Sequence, residues 1–143
     1  MNKFKVLLDL LPDQAVIAEV GSYRGKSTEE FLVSGKMEVI YCIDEWKENK
    51  NKKLLDERLK NFIGCYEPMK EEQIRAATQF RHDLLDGVFI NDSNDLKMKI
   101  DAWSPIVHQG GYVMGHMAKS KYVQEQISTF NVTVVGDIWW MKV

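Results

Sequence analysis

The feature that most constrains the fold is a pair of short apolar runs joined by a glycine-containing turn and one helix-length segment. Residues 15–20 (AVIAEV) and 38–44 (EVIYCID) are apolar along most of their length, as strands are when helices cover both faces of a parallel sheet. Residues 28–34 between them suit a helix, and Gly35 follows as a C-terminal cap. This order of strand, turn, helix and strand predicts a parallel sheet.

The same alternation continues to the end of the chain. Further strands are predicted at residues 65–69, 87–91 and 110–116. Helices are predicted within residues 1–12, at 52–64, at 71–80, from Leu96 to Trp103, and after His116 with Val123, Ile127 and Phe130 facing inward. Two β-rich runs around Gly136 and Asp137 predict a terminal hairpin. We therefore predict an α/β fold: a doubly wound, mostly parallel Rossmann-like sheet, with helices on both faces and a C-terminal antiparallel hairpin.

Length and composition indicate one ordinary globular domain spanning residues 1–143, with 45% hydrophobic and 28% charged residues. The net charge of −2 gives no general attraction to nucleic acid or to a membrane, so neither is expected as a partner. The N-terminal apolar run is broken by Asp9 and lacks a signal-peptide cleavage pattern, which predicts a cytoplasmic protein. Cys42 and Cys65 fit neither a zinc site nor a disulfide framework and are expected to be buried.

The turn after the first strand resembles a phosphate-binding loop without matching one. A P-loop needs glycine, four residues and then Gly-Lys-Ser/Thr, but only three residues separate Gly21 from Gly25, and Val20 stands where the first glycine belongs. Ligands of doubly wound sheets bind beyond the carboxyl ends of the strands, where the strand order reverses. The helix start after Gly25 would suit a carboxylate or phosphate there.

Two acidic residues narrow the ligand further. Asp44 lies 19 residues after Gly25, close to the spacing of ~20 at which an acid meets ribose hydroxyls in nucleotide-binding sheets. Glu19 would repel a pyrophosphate, but it suits a ligand that carries positive charge. The pattern favours a ribose-containing ligand with both charges over NAD or ATP.

With these residues, the sequence resembles the class I S-adenosylmethionine-dependent methyltransferases, in particular their small-molecule O-methyltransferase branch. The segments that carry the resemblance are AEVGSYRGKST, IYCIDEW, MKEEQIRAATQF, LLDGVFIN, AWSPIVHQGGYVMGH and VVGDIWWMKV. It implies S-adenosylmethionine as the cofactor, with ribose at Asp44, adenine beside Trp46, and Glu72 near the adenine amino group. The full set of implied cofactor contacts is Glu19, Gly21, Ser22, Tyr23, Gly25, Ser27, Asp44, Glu45, Trp46, Glu72 and Asn91.

The sequence departs from that family where metal-dependent members hold a divalent cation. Asn91 stands at the acidic position after the fourth strand, and Met117 stands where the fifth strand is usually followed by an acid. Hard cations need oxygen ligands of this kind. We therefore predict no metal, with Asp92 and Asp95 as the alternative site if one exists.

Methyl transfer to a hydroxyl acceptor needs alignment and one base. His116, at the end of a strand that faces the predicted crevice, is the candidate base, although a strand-end histidine can also be purely structural. His82 is expected at the surface, His108 in a structural role, and Lys26 in solvent. One of the tryptophans Trp139 and Trp140 should be core, and an exposed partner would indicate a homo-oligomer.

Three functions remain open from the sequence. The first is a small-molecule methyltransferase acting on an oxygen or nitrogen atom. The second is an S-adenosylmethionine-binding protein that has lost transfer activity, or one that hydrolyses or cleaves the cofactor. The third is an ATP-dependent phosphotransferase, disfavoured because the loop is one residue short.

Overall fold

A computed structural model describes residues 2–143, which contain one seven-stranded sheet. Its strands are β1 (Ala15–Val20), β2 (Met37–Asp44), β3 (Tyr66–Lys70), β4 (Leu85–Ile90), β5 (Val107–Gly115), β6 (Thr133–Val135) and β7 (Ile138–Lys142). Their spatial order is β3-β2-β1-β4-β5-β7-β6. The first five strands pair in parallel, and the terminal hairpin adds antiparallel β7 and β6. The predicted fold class is confirmed, including the hairpin.

Within residues 2–143, five α-helices surround the sheet: α1 (Lys5–Leu10), α2 (Lys26–Leu32), α3 (Asn49–Arg58), α4 (Leu96–Trp103) and α5 (Lys121–Ile127). Short 3-10 helices cover Lys60–Phe62, Arg75–Gln79 and Ser104–Ile106. The predicted helix at 52–64 starts earlier and is already 3-10 at its end. Met1, included in the predicted N-terminal helix, lies outside the described residues.

The helix predicted at residues 71–80 is wrong in type, because only a five-residue 3-10 helix forms there. The Glu72 carboxylate accepts hydrogen bonds from the amides of Ile74 (3.0 Å) and Arg75 (2.7 Å). Phe80 is already extended. A side chain that bonds nearby amides offers the backbone an alternative to α-helical pairing.

Two apolar clusters fill the space between sheet and helices. One joins α4 and α5 to the sheet through residues that include Trp103, Val113 and Trp139. The other includes a compact aromatic group in which the rings of Phe4, Phe31 and Phe89 have centroids 4.9–5.1 Å apart. Burial of apolar area on both faces is the main force that holds such a layered fold together.

β1 lies at the reversal point of the sheet. It pairs with β2 on one side and β4 on the other, so the chain moves outward from β1 in both directions. Backbone bonds continue past the strand ends: the amide of Gly21 donates to Ile43, and the amide of Asn91 donates to Val20. The loops after β1, β2 and β4 therefore meet at one edge.

The hairpin is fitted to the sheet by a tryptophan that occupies the space above a glycine. Gly115 pairs with Trp139, and a Cβ added at Gly115 would lie only 2.3 Å from the Trp139 ring. Trp139 is 1% exposed, whereas Trp140 is half-buried against the apolar cluster that contains Phe4, Phe31 and Phe89. Residues 2–143 therefore present no exposed tryptophan that would indicate an oligomer interface.

Cys42 is fully buried and Cys65 half-buried, and both thiols are free. None of the helices within residues 2–143 has the length and the apolar run needed to cross a bilayer.

His108 ties the beginnings of three strands together. One ring nitrogen lies 2.8 Å from Asp86 Oδ1 and the other 2.8 Å from the Gln109 carbonyl, while Asp86 Oδ2 accepts from the Val16 amide. Because both partners of the ring accept, this geometry favours the doubly protonated imidazolium. The bond to Gln109, followed by that to Asp86, raises the pKa of His108 above 6.5.

We expect His108→Gln to lower the melting temperature more at pH 6 than at pH 9. Since the folded pKa is raised, the stabilisation is complete below the unfolded pKa and is lost as pH rises through the folded value. Thermal unfolding of both proteins at the two pH values measures this, with exposed His82→Gln as the matched control. An equal loss at both pH values would contradict the imidazolium assignment.

Candidate functional site

A cavity of about 420 Å³ opens at the carboxyl edge of the sheet, where β1, β2 and β4 end. Six of the predicted cofactor residues line it: Gly21, Tyr23, Asp44, Glu45, Trp46 and Asn91. A second cavity of about 250 Å³ shares Tyr23 and Asn91 with the first and includes the predicted Ser22 and Ser27. The two cavities are therefore adjacent, and together they contain eight of the eleven predicted residues.

Asp44 joins two loops at the wall of the first cavity. Its carboxylate accepts one bond from the Tyr23 amide and one from the Trp46 amide, both at 2.9 Å. The Trp46 indole nitrogen donates to the Tyr23 carbonyl at 2.7 Å, which closes the link between the loops. Each carboxylate oxygen can accept a second hydrogen bond. Asp44 is thus fixed in place and still able to bind a hydroxyl group.

Gly21 allows the loop after β4 to pack against the glycine turn. Its φ of 92° lies in the left-handed region, and a Cβ there would come within 2.8 Å of the Asp92 Cβ. The amides of Gly21 and Ser22 donate to Ile43, and the amide of Tyr23 donates to Asp44. These three amides already have partners, so Gly21 serves close packing. An anionic ligand group would need donors other than these amides.

Basic side chains surround the second cavity. Arg24, Lys26 and Arg58 line it together with the two serines. Arg58 lies 3.5 Å from Glu29, and Arg24 donates to Asn51 at 2.9 Å. Lys26, predicted to be solvated, is exposed and also contributes to this lining. The cavity suits an anionic group such as a carboxylate.

Glu19 lies behind the glycine turn, outside the linings of both cavities. It is 0% exposed; its carboxyl group bonds the Thr28 hydroxyl, and its Oε2 has no partner among the described residues. Burial raises the pKa of Glu19 to about 7, against the opposing effect of the bond from Thr28. Because Glu19 lines neither cavity, it has no direct route to a cationic ligand group in this arrangement, contrary to the predicted contact.

Gln73, rather than the neighbouring Glu72, reaches the first cavity. Glu72 is exposed, and the amides of Ile74 and Arg75 that it binds hold its pKa below the usual range. Gln73 donates to Asp92 Oδ2 at 3.1 Å, while its own Oε1 is buried without a partner among residues 2–143. Sequence reasoning missed Gln73 because a glutamate beside it matched the expected acid more closely.

Lys99 is a buried cation directly behind the cavity wall. It is 4% exposed, and its Nζ donates to the Asp92 carbonyl at 3.0 Å and lies 3.7 Å from Asp92 Oδ2. Burial lowers the pKa of Lys99, and the nearby Asp92 and Asp95 oppose that shift. No sequence pattern singled it out, since it is one of two lysines in a helix of mixed polarity.

His116 follows β5 and packs against the adjacent rings of Phe4 and Phe89, with ring centroids 6.2 and 5.4 Å away. Its Nε2 lies 2.9 Å from the Asn91 carbonyl, so Nε2 carries the hydrogen and Nδ1 is left as a buried acceptor without a partner among the described residues. Burial lowers the pKa of His116. The ring is neutral at pH 7 and lies outside both cavity linings.

Four non-glycine residues with left-handed φ follow strand ends at this same edge of the sheet: Tyr23, Trp46, Asp95 and Met117. Such conformations cost about 1–3 kcal/mol each and cluster at functional sites. Two further such residues, Gln14 and Asp83, precede β1 and β4, so left-handed residues are more frequent at the cavity edge without being confined to it.

Asp92 and Asp95, the two residues considered as an alternative metal site, differ in their surroundings. Asp92 is bonded to Gln73 and to the Asn94 amide, and Asp95 is exposed in a left-handed conformation. Within residues 2–143, no group of three or more His, Cys, Asp or Glu side chains is placed to hold a metal ion.

Neither protein-family models nor curated proteins match this sequence. Solved structures do match the fold. A precorrin 8W decarboxylase from Methanobacterium thermoautotrophicum aligns with a TM-score of 0.74 and 14% identity, over 96% of this chain and 88% of that one. A SAM-dependent O-methyltransferase from Thermotoga maritima aligns with a TM-score of 0.68 and 12% identity, over 94% of this chain and 60% of that one.

A tRNA methyltransferase from Aquifex aeolicus aligns with a TM-score of 0.75 and 15% identity, over 94% of this chain and 55% of that one. The names of these three proteins describe different reactions or acceptors, and identities this low carry only the fold. The chain therefore has the Rossmann-like fold found in S-adenosylmethionine-dependent methyltransferases.

Proposed function

We propose that this protein is an S-adenosylmethionine-dependent methyltransferase that acts on an oxygen or nitrogen atom of a small molecule, without a metal ion. The observation that carries the proposal is Asp44, which is fixed at the wall of a cavity at the sheet's reversal point and retains free acceptor capacity. An acid at this place in a doubly wound sheet suits ribose hydroxyls.

The residues present fit the chemistry of that cofactor. Asp44 offers acceptors to the ribose, and Gln73 contributes an amide side chain to the lining of the same cavity. The adjoining basic cavity, with Ser22 and Ser27, suits the carboxylate of an amino-acid tail. When bound, S-adenosylmethionine supplies an electrophilic methyl group.

His116 is the proposed base for a hydroxyl acceptor. Its neutral ring and its Nδ1, which has no partner within residues 2–143, suit proton acceptance at pH 7. Nδ1 is buried among aromatic rings in this conformation, so the ring must become accessible before it can meet an acceptor. We further propose a cytoplasmic protein that has no nucleic-acid or membrane partner and can form homo-oligomers.

His116 contacts the lining residue Asn91 but lines neither cavity itself, which favours one alternative. A protein that binds S-adenosylmethionine without transferring its methyl group, or that hydrolyses or cleaves it, needs no base beside an acceptor. Asp44, Gln73 and the basic cavity would serve that protein equally well.

Calorimetry with S-adenosylmethionine, S-adenosylhomocysteine and ATP tests the proposal. We expect both adenosyl ligands to bind and ATP to bind much more weakly. Binding of ATP alone would overturn the assignment. Incubation with methyl-labelled cofactor then separates the alternatives, because label on an added acceptor supports transfer, whereas loss of cofactor without acceptor supports breakdown.

A further inference from the structure

We propose that Arg24 and Arg58 form an anchor for an acidic group, a carboxylate or a phosphate, on the molecule that accepts the methyl group. This rests on the proposed function and makes the acceptor a small organic anion. The two arginines line an outer cavity of about 450 Å³ together with Leu54 and Glu57. Both arginines also line the second cavity, so the outer cavity adjoins it.

Arg24 is held in place by uncharged groups. Its Nε donates to the Asn51 side chain at 2.9 Å, and its guanidinium lies 4.9 Å from the centre of the Tyr23 ring. Asn51 is 7% exposed, and its amide nitrogen lies 3.5 Å from Glu48, which leaves the Asn51 oxygen directed at Arg24. Arg24 forms no ion pair within residues 2–143. Its guanidinium is therefore oriented without a charged partner.

Arg58 is held beside Arg24 by the backbone of the glycine turn. Its Nε donates to the Arg24 carbonyl at 3.2 Å, and its Nη1 lies 3.5 Å from Glu29. Glu57, the acidic residue of the outer cavity, is already paired with Lys60 at 2.9 Å. Within the described part of the chain, the two guanidinium groups thus have one carboxylate partner between them. This surplus of positive charge on planar, forked donors suits a carboxylate or a phosphate.

The first cavity repels the same kind of group. Its lining carries four acidic side chains and one basic one, from Asp44, Glu45, Glu48, Asp92 and Lys47. An acidic ligand group is therefore disfavoured in the proposed ribose cavity and favoured at the arginines. The opposite charges of the two places fix the direction in which a ligand with one acidic end can lie.

Leu54 gives the outer cavity an apolar wall. It is 46% exposed, and it lies one helical turn before Arg58 on α3. A volume of about 450 Å³ is within the range of small-molecule sites. A ligand that carries an apolar ring or chain next to its acidic group therefore fits both the arginines and Leu54.

Calorimetry with benzoate, phenyl phosphate and neutral benzamide tests the anchor, using protein saturated with S-adenosylhomocysteine. We expect at least one of the two anions to bind about tenfold or more tightly than benzamide, because charge-assisted hydrogen bonds to the arginines are open only to the anions. Equal affinities for all three molecules, or no binding of either anion, would overturn the proposal.

Saturation with S-adenosylhomocysteine separates this anchor from the site of the cofactor's own carboxylate. If S-adenosylhomocysteine abolishes anion binding, the arginines serve the amino-acid tail, so the proposed function stands and the anchor is wrong. Failure to bind S-adenosylhomocysteine would instead overturn the proposed function, and with it the identification of the anion as a methyl acceptor.

Variants at the two exposed arginines test whether the bonds are specific. Arg24→Gln and Arg58→Gln should each weaken binding of the anion by about tenfold. Arg24→Lys should recover only part of that loss, because an ammonium keeps the charge but not the forked donors. Exposed Arg81→Gln makes the same change away from all three linings and should leave the affinity unchanged. Equal losses in Arg24→Gln and Arg81→Gln would show a general effect of charge and overturn the anchor.

Discussion

Alanine at Asp44 is expected to weaken S-adenosylmethionine binding by about 1–3 kcal/mol, or roughly 5- to 150-fold. On the proposed function, the ribose hydroxyls lose their acceptor. The amides of Tyr23 and Trp46 lose theirs as well, which loosens the wall that shapes the cavity. Calorimetric dissociation constants for the two proteins measure the effect.

His116→Ala is the matched control for this experiment. His116 lies outside both cavity linings, so its loss should leave cofactor affinity within about twofold while slowing turnover of any acceptor that must lose a proton. Unchanged affinity in Asp44→Ala, with folding verified by circular dichroism, would count against the ribose assignment.

Glutamine at Glu19 should remove a pH-dependent loss of stability of about 3 kcal/mol. The Glu19 carboxyl is 0% exposed, and burial raises its pKa from 4.5 to about 7. Because the folded pKa lies above the unfolded one, the folded state is favoured at pH below 4.5. That advantage disappears as pH rises towards 7 and above, where the buried group must ionise.

Urea unfolding at pH 4.5 and pH 8 measures the difference between Glu19→Gln and the unchanged protein. That difference should shift by about 3 kcal/mol in favour of the glutamine variant at pH 8, whatever constant offset the new amide introduces. Exposed Glu38→Gln is the control and should show no such shift. Parallel pH profiles for Glu19→Gln and the unchanged protein would show that Glu19 does not resist ionisation.

The fold could be predicted because its signals are local and repeated. Continuous apolar runs mark β1, β2 and β4, and the Gly136-Asp137 dipeptide marks the hairpin turn. The 3-10 conformation of residues 71–80 could not be predicted, because it depends on which groups two side chains bond. Glu72 bonds the amides that follow it, and the indole of Trp103, thirty residues away, binds the Gln73 carbonyl.

The candidate site was predictable to the level of the loops that form it. Asp44 and the glycine turn line or border the cavities as their positions after strands suggested. Glu19 ends up behind the turn because side chains alternate along β1, and its position faces the same side as Ile17, towards α2. Lys99 and Gln73 could not be predicted as site residues, because both contact Asp92 only when the fold brings α4 and the loop after β3 against the loop after β4.

The fit of Trp139 over Gly115 determines how the last strand can be altered. A slip of one residue would turn the indole to the opposite face of the sheet and leave the space above the glycine empty, so shape alone locks the pairing. The turn that joins β6 to β7 has open space beside Gly136, where nothing lies within 4 Å of an added Cβ, but Asp137 next to it accepts bonds from the amides of Ala118 and Lys119. A tag inserted in this turn must therefore leave Asp137 in place to keep the last strand docked.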